Sequence, residues 1–470
     1  MQVPQAASGR TSPTIVDVEK GEKSEKEVIY VDFEPGDPTQ SRHLVSSTQM
    51  ARTTASAYSM GFPSMMRELN CSEMEAALGI AMFCLGFALV PLITSAFSEE
   101  FGRRPLFVVC TIVFTAMYVV QATANNIQTV IAARFICGAF GSTGSTMVGG
   151  TVADVWAPAE RGRPMAGRGP VVAGYIEMSL GWRWIQWIHT IAGGICIVLT
   201  ITILKETRTG IILTRKAKAL RAETGDDRYR ARVEDTRGPL RTLLWISATR
   251  PLILLCTEPT VLSFSLWISL AWGIMYSMFE SVLPVFEGLY GFNHGEAGLA
   301  FLGMYRFPPR LRDEFLPRFA VSKHFPTRGP EARLFTSCGA ALLFPIGMFI
   351  YAWGSNPSVP WIVPIIGITL FMWATFIMYL AVFTYLADCY GTYASSALAG
   401  QSLFRNLMGV AFPLFEPAMY KTLGIHWAST LFGCIAVAMV PIPYVLLFLG
   451  PKIRARSRFA STVVHHPSSL

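Results

Sequence analysis

Nine stretches of this sequence are each roughly twenty residues of nearly unbroken apolar side chains, enough for an α-helix to cross the ~30 Å hydrocarbon core of a bilayer. They are 76–97, 106–124, 127–149, 184–204, 260–283, 334–353, 360–386, 393–415 and 425–449. Inside a bilayer no water meets the backbone N–H and C=O groups, so only helices and closed barrels can span it. A barrel would show short alternating segments, and the apolar runs here do not alternate. Composition agrees: 52% of residues are hydrophobic and only 15% charged, against about a quarter charged in a typical soluble domain. The expected class is an all-α, multi-pass membrane protein. Its partners are the lipid bilayer and whatever passes between the helices.

Three further segments are weaker as spans. Residues 43–62 begin polar and carry Arg52, and 165–176 is short and interrupted by Arg168. The third begins at residue 297 and runs into FLGMYRFPPRLRDEFLPRFA at 301–320, where Pro308-Pro309 ends any helix after about 16 Å, half a bilayer core. Counting these as the first, fifth and eighth, the chain reads as twelve nominal transmembrane helices in two six-helix halves. The halves are 43–204 and 251–450, joined by a basic central loop at 205–250, with a disordered N-terminal tail (1–42) and a C-terminal tail (451–470). The formal charge of +8 does not indicate nucleic acid, because it sits in the loops. All but six of the 39 lysines and arginines fall in the tails and alternate loops; the exceptions are Arg52, Arg67, Arg134, Arg183, Arg405 and Lys421. The positive-inside rule then places both termini in the cytoplasm. That topology requires the eighth segment to cross, although its local sequence interrupts the helix. Asn70 opens an Asn-Cys-Ser sequon in the first outward loop, a possible glycosylation site. The nine cysteines form no CxxC or Cys/His cluster, so no metal site is expected.

Several motifs carry chemistry. SAFSEEFGRRP (95–105) sets Glu99 four residues before Arg103, with Gly102 permitting a tight turn and Arg104 adding charge, a loop suited to pairing with a neighbouring helix end. RFICGAFG (134–141) places Arg134 inside a span, where a cation is costly and turns toward a cavity or partner. Gly138 and Gly141 allow close helix approach. GGTVADVWAPAERGR (149–163) gathers Asp154, Arg161 and Arg163 at a helix end, a structural charge cluster. Trp267, Trp272 and Tyr276 offer flat surfaces to a planar or cationic ligand; at helical spacing the same rings serve equally as lipid-facing packing. Glu280 lies near the outer end of its span as a proton or cation site or a solvated end, and Glu258 before Pro259 reads as a helix cap. Arg405 and Asn406 fall mid-span. Two arginines but no carboxylate are then at mid-membrane, which leans toward a substrate with an anionic or zwitterionic group and leaves the proton-carrying group unassigned.

The three motifs, in this order, resemble the major facilitator superfamily, and within it the fungal drug:proton antiporters of the polyamine and multidrug efflux group. LLCTEPTVLSFSLWISLAWGIMY (254–276), KHFPTRGPEARL (323–334) and YASSALAGQSLFRNLMGVAFPLF (393–415) extend the resemblance over about residues 55–455. It implies the major facilitator fold, a cytoplasmic gating loop built from Glu99, Gly102, Arg103 and Arg104, and an Arg134 that couples proton and substrate binding. Of that group's antiporter motif in the fifth helix only the second half remains, with Gly169, Pro170 and Gly174. The resemblance implies a monomeric, secondary active exporter of drugs, polyamines or secondary metabolites in the plasma membrane, driven by protons and needing no cofactor. No P-loop or nucleophile arrangement occurs, so an enzyme is not expected. The alternatives are uptake or facilitated diffusion, or a non-transporting or defective chain whose fifth and eighth helices are truncated by an altered gene model.

Overall fold

A computed structural model describes residues 29–30, 58–155, 176, 178–203, 206, 209–231, 234, 239–300, 329–457 and 459. Most of the weak first, fifth and eighth spans, with Arg161, Arg163, Gly169, Pro170 and Gly174, lies outside the described residues. Each of the nine strong runs is helical. Helix α1 (Phe62–Leu69) precedes α2 (Glu73–Leu89), α3 (Pro91–Phe101), α4 (Arg103–Thr123), α5 (Ile127–Val155) and α6 (Trp182–Ile203). After α7 (Thr209–Thr224) come α8 (Leu240–Thr257), α9 (Pro259–Tyr290), α10 (His294–Leu299), α11 (Leu334–Gly354), α12 (Ile362–Tyr390), α13 (Ala394–Met439) and α14 (Pro441–Arg456). Seven helical stretches among the described residues are long and apolar enough to cross a membrane.

Local chemistry sets the boundaries. Ser72 caps α2 in a reciprocal capping box: its Oγ accepts from Glu75 N–H, and Glu75 Oε2 accepts from Ser72 N–H at 2.8 Å. Pro91 and Pro441 lack the N–H that would continue the preceding helix, so α2 and α13 end at Val90 and Val440 although both residues keep right-handed helical dihedrals. Two runs read as separate spans, 393–415 and 425–449, merge into α13 and α14, with a break at Gly424 (φ 74°, ψ 165°). Two segments are more ordered than the sequence leads one to expect. The basic central loop contains α7, which buries Leu213 and Ala217 against Ala231. Ile29–Tyr30 of the N-terminal tail pairs in parallel with Tyr229–Arg230. In each case a few apolar or backbone partners suffice to order a segment whose composition is mostly polar.

The outer surface is apolar. On α6, Ile191, Ile195 and Val198 are each more than half exposed, as expected where lipid tails rather than water are the solvent. Attraction between helices therefore comes from close packing. A Cβ on Gly138 of α5 would collide with the Phe83 carbonyl of α2, and one on Gly86 with the Phe135 carbonyl. The close approach expected of Gly138 and Gly141 is thus realised, with Gly141 against the Phe114 ring of α4. The α11–α12 contact is built alike, on Gly347 and Gly367. Two large buried clusters result. One gathers α2, α4 and α5 around Phe83, Tyr118 and Val130, and the other gathers α9, α11, α12 and α13 around Phe264, Phe344 and Phe371. They meet along a seam where α2 packs on α13, and Tyr276 of α9 reaches the first cluster.

Candidate functional site

The seam carries one buried arginine on each side. Arg134 on α5 is fully buried. Its guanidinium carbon lies 3.9 Å above the Tyr58 ring centroid and 4.9 Å from that of Phe83. Nε donates to the Gly79 carbonyl at 3.4 Å, while neither Nη has a hydrogen-bond partner among the described residues. Gly79 has a second role, since any Cβ there would strike the Tyr58 hydroxyl. Arg405 on α13 is held in the same manner. Its guanidinium carbon sits 4.6 Å from the Trp272 ring and 5.2 Å from Tyr379, and Nη2 donates to Ser402 Oγ at 3.2 Å. Asn406 is buried one residue on, its Nδ2 donating to the Ser402 carbonyl at 2.8 Å. A delocalised guanidinium tolerates this dry, aromatic setting better than a compact ammonium would.

The two cations are linked through α2 and α9. Cys84 of α2 lies within electrostatic reach of Arg134, Arg405 and Glu280. Gly409 leaves room for both Tyr276 and Cys84, whose nearest atoms lie 3.0 and 3.4 Å from where a Cβ would stand. Arg134, Trp272, Tyr276, Glu280, Arg405 and Asn406 therefore cluster about the seam. Trp267 does not join them. It packs against Phe264, with ring centroids 6.3 Å apart, inside the second core. Glu258 stands at the N-cap position of α9, but its side chain makes no cap and instead accepts from the Tyr390 hydroxyl at 3.1 Å.

One buried carboxylate was not marked by the sequence. Glu416 is a carboxylate fully buried on α13, which continues well past residue 415. Glu416-Pro417 resembles the end of a span, but Pro removes only one N–H and the helix runs on through it.

Each end of the bundle has its own polar contacts. At the end that the charge pattern assigns to the cytoplasm, Gly102 separates α3 from α4. Glu206, just past α6, accepts from the backbone N–H of Arg103 at 3.0 Å and of Arg104 at 3.1 Å. Arg104 Nη2 also donates to the Ile201 carbonyl. Glu99 lies in the last turn of α3 and Asp154 in the last turn of α5; their side chains are outside the described set. At the same end Arg454 Nη2 meets Glu331 Oε1 at 2.7 Å, and Arg333 Nε meets Asp388 Oδ2 at 3.0 Å. Glu206, Glu331, Asp388 and Arg454 drew no attention in the sequence because their partners are distant in the chain.

At the opposite end Glu68 accepts from Arg183 Nε and Trp182 Nε1, both at 2.7 Å. Partial burial pushes the Glu68 carboxyl up, but these two donors win and hold it below the usual carboxylate range. Asn70 is exposed, with φ 51°, just beyond α1. Lys421 Nζ meets Glu73 Oε2 at 2.6 Å across the seam, with both side chains largely in solvent. An exposed pair of this kind contributes roughly 0–1 kcal/mol. Lys421→Ala should therefore shift the melting temperature of the purified protein very little; a fall of many degrees would show that this contact holds the two sides together.

Residues 44–413 match the family model of the Major Facilitator Superfamily. The multidrug transporter mdrA of Aspergillus fumigatus is 34% identical over 467 residues, covering 94% of this chain and 77% of its own. The efflux pump MFS2 of Trichophyton rubrum is 33% identical over 484 residues, covering 96% and 81%, and the efflux pump radE of Floropilus chiversii is 32% identical over 430 residues, covering 88% and 80%. Among solved structures, the human organic anion transporter MFSD10 superposes with a TM-score of 0.54 at 16% identity over 87% of this chain and 100% of its own. A D-xylose–proton symporter superposes with 0.55 at 16% over 85% and 95%. Those structures establish the fold, and the family match and the fungal relatives establish the lineage. The chain belongs to the major facilitator superfamily, as a multi-pass membrane protein of its secondary transporters.

Proposed function

We propose that this chain exports small organic molecules from the cytoplasm across the plasma membrane of a fungus, driven by protons moving inward. The halves 43–204 and 251–450 rock about the seam, with the central loop and both tails cytoplasmic. The observation that carries the reading is the pair Arg134 and Arg405, one on each side of the seam, each stacked on two aromatic rings and each with N–H groups that find no partner among the described residues. Unsatisfied buried donors are expensive, and a substrate that visits the seam would satisfy them. Donors set among aromatic faces favour a flat molecule with an anionic or zwitterionic group. A drug or a secondary metabolite of the fungus fits that description better than a polyamine does. The names of the fungal relatives support export as the direction.

Inside-out vesicles from a yeast that overproduces the protein provide the test, with rhodamine B and carboxyfluorescein as zwitterionic and anionic probes. Dye should accumulate when the lumen is acid, and a protonophore should abolish accumulation. Accumulation that survives the protonophore would sink the proton-driven reading. Transport of neither dye, by vesicles in which the protein is intact and abundant, would count against the proposed substrate class.

A further inference from the structure

Glu416 is fully buried in α13, and neither carboxyl oxygen has a hydrogen-bond partner among the described residues. Glu280 of α9, the helix packed against it, lies within Coulombic reach and has a buried Oε1 that is likewise unpartnered. The lining is hydroxyl-rich. Ser277 is buried one turn before Glu280 and faces Glu416, and Tyr420 follows Glu416 by one turn with Ser429 and Ser281 facing it. The Ser277, Ser429 and Tyr420 oxygens make no close hydrogen bond among the described residues, and Ser281 Oγ shares a 2.9 Å hydrogen bond with Tyr351 OH.

Titratable groups face the two carboxyls from four helices. Tyr276 belongs to α9 and Tyr420 to α13, Tyr351 faces in from α11, and Cys84 and Glu73 come from α2. Arg405 is felt by way of Tyr276 and Cys84, and Lys421 is engaged with Glu73. No lysine, arginine or histidine forms an ion pair with Glu280 or Glu416 among the described residues. A carboxylate buried without a cation is unfavourable. Glu416 is such a group and Glu280, partly buried, lies within Coulombic reach of it on the packed helix, so a proton shared by the pair would relieve both the burial and the like-charge repulsion.

We propose that Glu280 and Glu416 are the proton-carrying pair of the transport cycle, two carboxyls from opposing helices that bind a proton from the outer solution and release it inward. This rests on the proton-driven reading above and gives that reading its titrating groups. Water at the end marked by Glu73 and Lys421 supplies the proton. One carboxylate oxygen gains an O–H bond on loading and loses it when the seam opens to the other side, so no charge remains buried in the closed state. The surrounding hydroxyls offer donors and acceptors to either protonation state. A glutamine in place of either glutamate imitates the protonated form, so Glu280→Gln and Glu416→Gln should fold.

The experiment uses the full chain in lipid nanodiscs, followed by infrared spectroscopy across a pH titration in water and heavy water. Wild type should show a carboxylic-acid C=O stretch at neutral pH that shifts in heavy water. It should weaken in each glutamine variant, disappear in the double variant and persist in Glu416→Asp. In vesicles, each glutamine variant should lose gradient-driven accumulation of whichever dye the wild type carries, yet keep exchanging it without a gradient. A wild type with no such band at neutral pH, or a band unchanged in the double variant, would overturn the proposal. So would glutamine variants that still accumulate dye with the gradient. A band that depends on the pair, in a wild type whose flux ignores the gradient, would remove the coupling role and the driving force together while leaving the shared proton in place. The spectrum thus fails or holds separately from the flux.

Discussion

Arg134→Met should abolish transport and at the same time raise the melting temperature. The native guanidinium is fully buried, with one weak hydrogen bond and two nitrogens without a partner among the described residues. Its compensation is mainly the Tyr58 and Phe83 faces, worth about 2 kcal/mol when desolvated. Placing an arginine at a span centre costs roughly 2.5–3.5 kcal/mol on insertion scales. Exchanging buried ionic groups for apolar side chains of similar volume is commonly stabilising, by about 1–4 kcal/mol. Methionine fills the space without leaving a cavity and removes the cation, so the fold gains what the site loses. Arg134→Lys separates charge from shape. It retains the cation but not the flat face stacked on two rings, and should show weakened transport at near-native stability. Thermal unfolding of purified protein, read beside dye flux in vesicles, checks both. Continued transport by Arg134→Met would remove Arg134 from the site. A lower melting temperature would make it a structural residue.

The spans were legible in the sequence because a bilayer imposes a length and a polarity that can be counted residue by residue. Arg134 and Arg405 were legible for the same reason, since a cation inside an apolar run stands out. What each residue faces was not. Trp267 and Trp272 are five positions apart on a helix whose few polar residues, chiefly serines, are themselves mostly buried, so no polar face turned to solvent distinguishes the core side from the seam. The structure puts Trp267 in packing with Phe264 and Trp272 under Arg405. Glu416 was not legible because it lies just beyond the apolar run 393–415, on a helix that continues past it. Glu206 and Glu331 were missed for another reason. Their partners are about a hundred residues away, Arg103 for one and Arg454 for the other, and such pairs leave no local pattern. Tyr58, the ring under Arg134, belongs to the weakest span of all, where no apolar run marked it out.

Gly102→Ala should destabilise the protein by several kcal/mol, and Glu206→Gln should absorb part of that loss when the two are combined. Gly102 has φ 92° and ψ 169°, a region used almost only by glycine, in which a side chain costs about 1–3 kcal/mol. The alanine Cβ would also stand 2.5 Å from Glu206 Oε2, so the carboxylate must move. That carboxylate accepts the first two backbone N–H groups of α4, donors that the helix itself cannot satisfy. A negative charge at a helix N-terminus contributes about 0.3–2 kcal/mol. Displacing it therefore adds a loss of that order to the strain. In Glu206→Gln the amide oxygen still accepts one N–H, while the amide nitrogen confronts the other donor and the charge is gone, for a loss of roughly 1–2 kcal/mol. Once the carboxylate has been replaced, the alanine has less to disrupt, so the double variant should lose less than the two singles together. Thermal melts of the three variants measure this directly. Strictly additive losses would mean that Gly102 is required for its backbone alone, and that the turn between α3 and α4 is not tied through Glu206 to the end of α6. If the tie exists, both single variants should also alter transport, because this contact joins the α3–α4 turn to α6 at the end of the bundle from which the substrate is expected to enter.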